Sequence, residues 1–252
     1  MMTIYSNSPL SQFNINPILP FNISWIDLTF TNSSLALLFV LVFFFLFINF
    51  STSNATVIPT RWQSSVELTY EFIYNLIQEQ IGVKGNKYFP FIFTIFSFIL
   101  FTNLLGMIPY SFTPTSHVTV AIGLSVAIFV GVTIIGFVHH GLHFFSFFLP
   151  SGVPVALAPL IIVIEVISYL VRAISLGVRL AANMFAGHTL LKILATFAWQ
   201  MFAIGGFIAV AGLAPFAIVF ALTGLEIGVA ALQAYVFTVL TCSYLNDSIN
   251  LH

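Results

Sequence analysis

Between Leu160 and Phe202 the chain carries Glu165, Arg172, Arg179, Asn183 and His188 in a run without proline, among Leu, Ile, Val, Ala and Phe. At 100° per residue, Glu165, Arg172, Arg179 and Asn183 fall within about 40° of one another on a helix. His188 falls on the far side. A later run, from Pro215 past Leu245, carries Glu226, Gln233 and Asp247, which share a face within about 60°. Carboxylates and imidazoles exchange protons, and such groups inside an apolar segment mark proton relays. Arginine does not exchange protons, because its pKa stays above about 12. A fixed cation between two relays blocks direct passage, attracts any carboxylate brought to it and favours that group's ionised form.

Laid antiparallel with Arg179 beside Gln233, the two runs bring their ionisable groups into two clusters. Glu165 lies fourteen residues before Arg179, and Asp247 fourteen after Gln233, so these carboxylates meet at one end. His188 lies nine residues beyond Arg179, and Glu226 seven before Gln233, so they meet at the other end. Each cluster stands on the order of 10–20 Å along the axis from the centre. Two half-pathways, a barrier and a missing carboxylate-bearing partner describe a stator for a moving proton carrier. Ala173, Gly177 and Ala181 form a small-residue ridge roughly opposite the polar stripe, suited to close helix contact.

The elements that must hold these groups are membrane helices. The 252 residues are 60% hydrophobic and only 5% charged, too few charges to clothe a soluble domain. The fold class is all-α: a polytopic membrane protein with about five membrane helices, including a long, strongly tilted antiparallel hairpin, plus one amphipathic surface helix. It reads as a single membrane domain over residues 1–252. A polar arm spans 1–34, a first span 35–53, the surface helix 61–82, a second span 88–110 and a third 118–145. The long hairpin covers 155–203 and 208–248. Forty residues of helix measure about 60 Å against a bilayer core of about 30 Å, so the long helices cannot stand upright. In the surface helix Val66, Tyr70, Ile73, Ile77 and Ile81 recur at helical spacing, opposite Glu67, Glu71 and Glu79.

Arg61, Lys84 and Lys87 flank the surface helix, which the positive-inside rule assigns to the cytoplasmic or matrix side. His188 and Glu226 then lie towards the outer side, and Glu165 and Asp247 towards the inner side. No basic or signal segment precedes the first apolar run, which predicts insertion where the chain is made. A net charge of -1 leaves no footprint for nucleic acid. The single cysteine, Cys242, forms no internal disulfide. His139 and His143 are spaced as a possible metal pair, but no third ligand accompanies them, so no metal is expected. Arg172 has a structural reading, bonded to backbone or to Glu165.

The stretches "SLGVRLAANMFAGH" and "LEIGVAALQAYVFTVL", with "FTNLLGMIPYSF" before them, resemble the F-type ATP synthase subunit a family over roughly Tyr88 to Asp247. The resemblance implies a subunit without catalytic residues or cofactor that grips a rotating ring of hairpin proteolipids, each with one buried carboxylate. It also implies peripheral-stalk membrane subunits and the lipid bilayer as partners, and no small-molecule substrate other than protons. By resemblance Arg179 is the essential barrier. His188, Glu226, Asn183 and Asn103 line the outer half-channel, Glu165 and Asp247 the inner one, and Gln233 and Arg172 support the rotor interface. The order of His188 and Glu226 looks mitochondrial, implying the mitochondrial inner membrane, with a bacterial inner membrane as the alternative. A secondary transporter should carry inverted repeats and paired broken helices, and neither is found. A proton-channel subunit of another membrane complex is the remaining alternative, since a purely structural subunit needs no central arginine.

Overall fold

Seven helices and two small hairpins make up the computed structural model, which describes residues 9–20, 22–23, 26–27, 29–53, 55–108, 111–141, 143–144 and 157–250. The helices are α1 (Asn32–Thr52), α2 (Arg61–Gln80), α3 (Phe89–Gly106), α4 (Val118–His140), α5 (Ala158–Ile204), α6 (Gly206–Ala211) and α7 (Leu213–Ile249). Five of them, α1, α3, α4, α5 and α7, are long and apolar enough to cross a membrane. The third span ends at His140, short of the expected 145; residues 145–156, including Pro150 and Pro154, lie outside the described residues.

Local signals set the ends. Thr31 caps α1 by accepting from the Ser34 N–H, and Ser34 answers the Thr31 N–H, a reciprocal capping box. Thr60 caps α2 through the Gln63 N–H. Pro159 sits in the first turn of α5, where its missing N–H costs nothing. The 47 residues of α5 and 37 of α7 correspond to about 70 Å and 55 Å of helix. The chain reverses between them at Gly205 and Gly206, whose φ angles of 76° and 62° suit glycine. The expected hairpin there also holds a short helix, α6.

The arm is not simply extended. A 3₁₀ turn, Pro9–Phe13, rests on α5, with Phe13 against Phe185 at 4.8 Å between ring centroids. Strand β1 (Pro17–Leu19) pairs with β4 (Phe30–Thr31), and β2 (Asn22–Ile23) with β3 (Ile26–Asp27), both antiparallel.

A helix in lipid gains nothing by hiding leucine, so packing falls to small residues and shape. Only part of each span is buried within the chain. The core joins Ile73 and Ile77 of α2, Ile92 and Ile99 of α3, Leu180 of α5 and Phe237 of α7, all fully buried. Thus α2 turns its isoleucine face to the bundle, while Tyr70 stays exposed but packs at a tilt against Phe89, 4.5 Å between ring centroids. The small-residue ridge of α5 is buried, and its partner is α4. A Cβ built at Gly177 would stand 2.5 Å from Ser125 Oγ and 2.8 Å from the Ala121 carbonyl oxygen.

At one end of the bundle Lys84 Nζ donates to Asn250 Oδ1 at 3.3 Å, and His140 Nε2 lies 3.0 Å from the Ile249 carbonyl. At the opposite end the 3₁₀ turn Pro114–Ser116 joins α3 to α4.

Gly177→Ala should lower the stability of the assembled chain by about 1–3 kcal/mol, because the backbone of α4 at Ala121 and Ile122, as well as the Ser125 side chain, must give way. Gly131→Ala, where a Cβ meets open space, should leave it unchanged. Thermal unfolding of the detergent-solubilised complex compares the two.

Candidate functional site

The site is built by α5 and α7, which pack antiparallel, with α3 and the Pro114–Ser116 turn behind one end. Its midpoint is an amide pair: Asn183 Nδ2 donates to Gln233 Oε1 at 3.0 Å. The expected register set Arg179, not Asn183, beside Gln233. Gln233 thus bonds the residue one turn beyond Arg179 on the same face, while Glu226 still lies against Gly187, next to His188. The bond satisfies the Gln233 carbonyl and leaves its buried Nε2 without a hydrogen-bond partner. Gln233 is 2% exposed.

Arg179 is exposed on α5, with no ion pair to a carboxylate among the described residues. Ser175, Ala182 and Ala186 are exposed on the same helix. On α7, Gly224, Gly228 and Ala231 are exposed, and nothing stands within 4 Å of a Cβ built at either glycine. A surface this shallow lets another helix approach closely, and the cation on it lacks an acid.

Towards the lysine end, Arg172 joins the two carboxylates expected to meet. Its Nη2 lies 3.7 Å from Glu165 Oε1 and its Nη1 3.6 Å from Asp247 Oδ2. Glu165 and Asp247 therefore meet through a shared cation. Arg172 takes up the ion-pair role read for it in sequence. A small cavity of about 10 Å³ beside the triad is lined by Phe144, Tyr169, Arg172, Tyr244, Asp247 and Ser248. That is at the lower limit for one water molecule. The Tyr169 hydroxyl lies 2.9 Å from Thr133 Oγ1 of α4.

Towards the opposite end, Glu226 packs against the backbone of Gly187: a Cβ there would stand 2.8 Å from Glu226 Oε1. Glycine at 187 thus makes room for the carboxylate next to His188. The ring of His188 meets a different partner, with Nε2 3.2 Å from Thr113 Oγ1. So His188 and Glu226 come to adjacent positions, and the polar contact of the ring goes to the turn. Asn103 is fully buried; its Oδ1 accepts from Thr115 Oγ1 at 3.0 Å and its Nδ2 donates to the Ala230 carbonyl at 3.4 Å. It ties α3, the turn and α7 together. His117, just before α4, stacks on Phe112 at 5.2 Å, and burial lowers its pKa below the ordinary histidine value. Lys192 Nζ donates to Ser11 Oγ of the arm at 3.4 Å.

Thr113, Thr115, Thr133 and Tyr169 are not legible as site residues in the sequence. In "SFTPTSH" the polar residues read as an ordinary turn, and turns are polar everywhere. No group of three or more metal-ligating side chains forms among the described residues. His139 Nε2 lies 2.9 Å from the Tyr88 hydroxyl.

Chemically, the arrangement offers two clusters able to bind or pass protons, at different depths, with a permanent cation between them. Residues 33–246 match the sequence profile of the family described as ATP synthase A chain. The chain is 55% identical to "ATP synthase subunit a" of Marchantia polymorpha, covering 97% of this chain and 99% of that one. It is 56% identical to "ATP synthase subunit a" of Brassica napus, covering 99% and 98% respectively. It is 50% identical to "ATP synthase subunit a" of Rhodospirillum rubrum, covering 98% and 100% respectively.

A double-mutant cycle with Arg172→Leu and Asp247→Leu should return a coupling of about 1 kcal/mol, modest because both side chains are a third exposed. The midpoint of thermal unfolding of each variant gives the four corners.

Proposed function

Because the chain belongs to the ATP synthase A chain family, we propose that its two polar clusters are offset proton half-paths and that Arg179 divides them. The protein is the proton-translocating stator subunit of the F0 sector, a non-catalytic, multi-pass membrane subunit that works with the other subunits of the synthase. The membrane is the mitochondrial inner membrane in this reading, and the lysine end faces the matrix.

The observation that carries the proposal is the exposure of Arg179 without a carboxylate among the described residues. A lone guanidinium facing hydrocarbon is costly. Its counter-ion comes from another chain, a ring of hairpin proteolipids with one buried carboxylate each. The small residues of α5 and α7 let ring helices pass close by. Peripheral-stalk membrane subunits hold the chain still against that ring.

Protons enter from the outer side past His188 and Glu226 and neutralise a ring carboxylate. The neutral carboxyl enters lipid without a Born penalty. After nearly a full turn it meets the inner path, where Glu165 and Asp247 receive the proton. Arg172 holds those two acids side by side across the two helices. Arg179 holds the passing carboxylate in its ionised form and so prevents a proton from riding directly between the paths. Asn183 and Gln233, bonded to each other, brace the helices one turn from Arg179; Asn103 braces the outer path from behind. A membrane potential supplies about 2.3 kcal/mol per charge per 100 mV to bias the rotation.

Arg179→Gln should abolish coupled proton flow, and Arg179→Lys should not restore it, because a lysine can shed its proton and presents a point charge. Near-normal proton-driven ATP synthesis in membranes with Arg179→Lys contradicts this reading. Glu226→Gln should slow proton entry while the complex still assembles. Loss of the assembled complex would assign Glu226 a structural role instead.

A further inference from the structure

We propose that Thr113, in the turn before α4, is a positioning residue that fixes which ring nitrogen of His188 takes up the incoming proton. The proposal rests on the reading of His188 as part of the outer path.

A threonine hydroxyl has one proton and two lone pairs. Thr113 Oγ1 stands 3.2 Å from the Gly106 carbonyl oxygen and 3.2 Å from His188 Nε2. Gly106 is the last residue of α3, and its carbonyl has no helical N–H to take; Ser111 Oγ lies 3.1 Å away but is nearer the Leu105 carbonyl, at 2.8 Å, which takes its one proton. The Thr113 proton therefore goes to Gly106. What remains for His188 is an acceptor, so the neutral ring carries its proton on Nε2 and donates it to Thr113. The lone pair is then on Nδ1, the nitrogen left to accept the next proton. The partner of one ring nitrogen decides the chemistry of the other.

The anchor is tight. Thr113 is 5% exposed, and a Cβ at Gly106 would stand 2.6 Å from its Cγ2. The Ser116 hydroxyl donates to the Thr113 carbonyl at 2.7 Å, and Thr115 binds Asn103. The turn is thus fixed to α3, and through Asn103 to α7, before it touches His188. The ionisable groups facing the ring are few. Glu226 comes from α7, His117 follows the turn, and Lys192 lies one turn along α5. The arm turn Pro9–Phe13 contributes none.

When His188 is charged, its bond to Thr113 becomes charge-assisted and stronger. Removing the acceptor should make proton uptake harder, so more acid is needed on the outer side. Thr113→Val keeps the shape and removes the acceptor. In the reconstituted synthase it should lower proton-driven ATP synthesis about fivefold to tenfold, the scale of one hydrogen bond to a charged group. The outer-side pH for half-maximal rate should fall by about half a unit or more. Thr113→Ser should restore both. A rate and profile unmoved by Thr113→Val overturn the proposal, as does a loss that Thr113→Ser leaves unrepaired, since that marks a packing role. Should Thr113→Val fail to assemble, ¹⁵N NMR of histidine-labelled complex decides, with His188→Gln identifying the signal. A neutral ring protonated on Nε2 is expected, and one protonated on Nδ1 overturns the proposal. Undiminished synthesis with His188→Ala would instead sink the reading of the outer path itself.

Discussion

A guanidinium keeps its proton at any physiological pH, and in hydrocarbon it needs an acid or a dipole to face. Arg179 has no ion pair, on its own helix or to the neighbouring ones, among the described residues, and the one acid of α5, Glu165, pairs with Arg172. The rest of the site is arranged round that constraint. Glu165 and Asp247 are drawn off to one side by Arg172, so they do not compensate Arg179. Glu226 is kept to the other side, against Gly187. Gln233 commits its carbonyl to Asn183. The cation is left without a fixed ion pair among the described residues, which the proposed contact with a passing rotor carboxylate requires.

The two arginines, seven residues apart on one face, show how placement alone divides roles. Arg172 bridges carboxylates from two helices and locks the lysine end of α5 to that of α7. Its pair with Asp247 joins α5 to α7, as the Asn183–Gln233 bond does nearer the middle. Arg179 has the same chemistry and the opposite surroundings. On the opposite side of the helix, the small residues Ala173, Gly177 and Ala181 press α5 onto α4. That contact sets the rotation of α5 and so decides which face the arginines present.

At the opposite end, polarity enters through the backbone as much as through acids. The end of α3 leaves carbonyls to be satisfied, and the hydroxyls of Ser111 and Thr113 meet those of Leu105 and Gly106. The Thr113 hydroxyl then has only lone pairs to offer His188. Asn103, fully buried, is held from both sides. A helix terminus is thus converted into a preorganised neighbour for an ionisable ring.

Much of this architecture is legible in the order of the amino acids. The scarcity of charge requires membrane helices, and the lengths of two proline-free runs require a tilted hairpin. Helical periodicity puts Glu165, Arg172, Arg179 and Asn183 on one stripe, and Gln233 and Asp247 on another. These follow from periodicities that local sequence carries. The partner of Gln233 does not, because Arg179 and Asn183 lie one turn apart on the same face. Only packing distinguishes Asn183 from Arg179 as the neighbour of Gln233. Nor does the sequence reveal Thr113, seventy-five positions from His188 in the chain. A threonine in a turn is unremarked by any local pattern; it becomes part of a site only when a helix end and an imidazole are folded to either side of it.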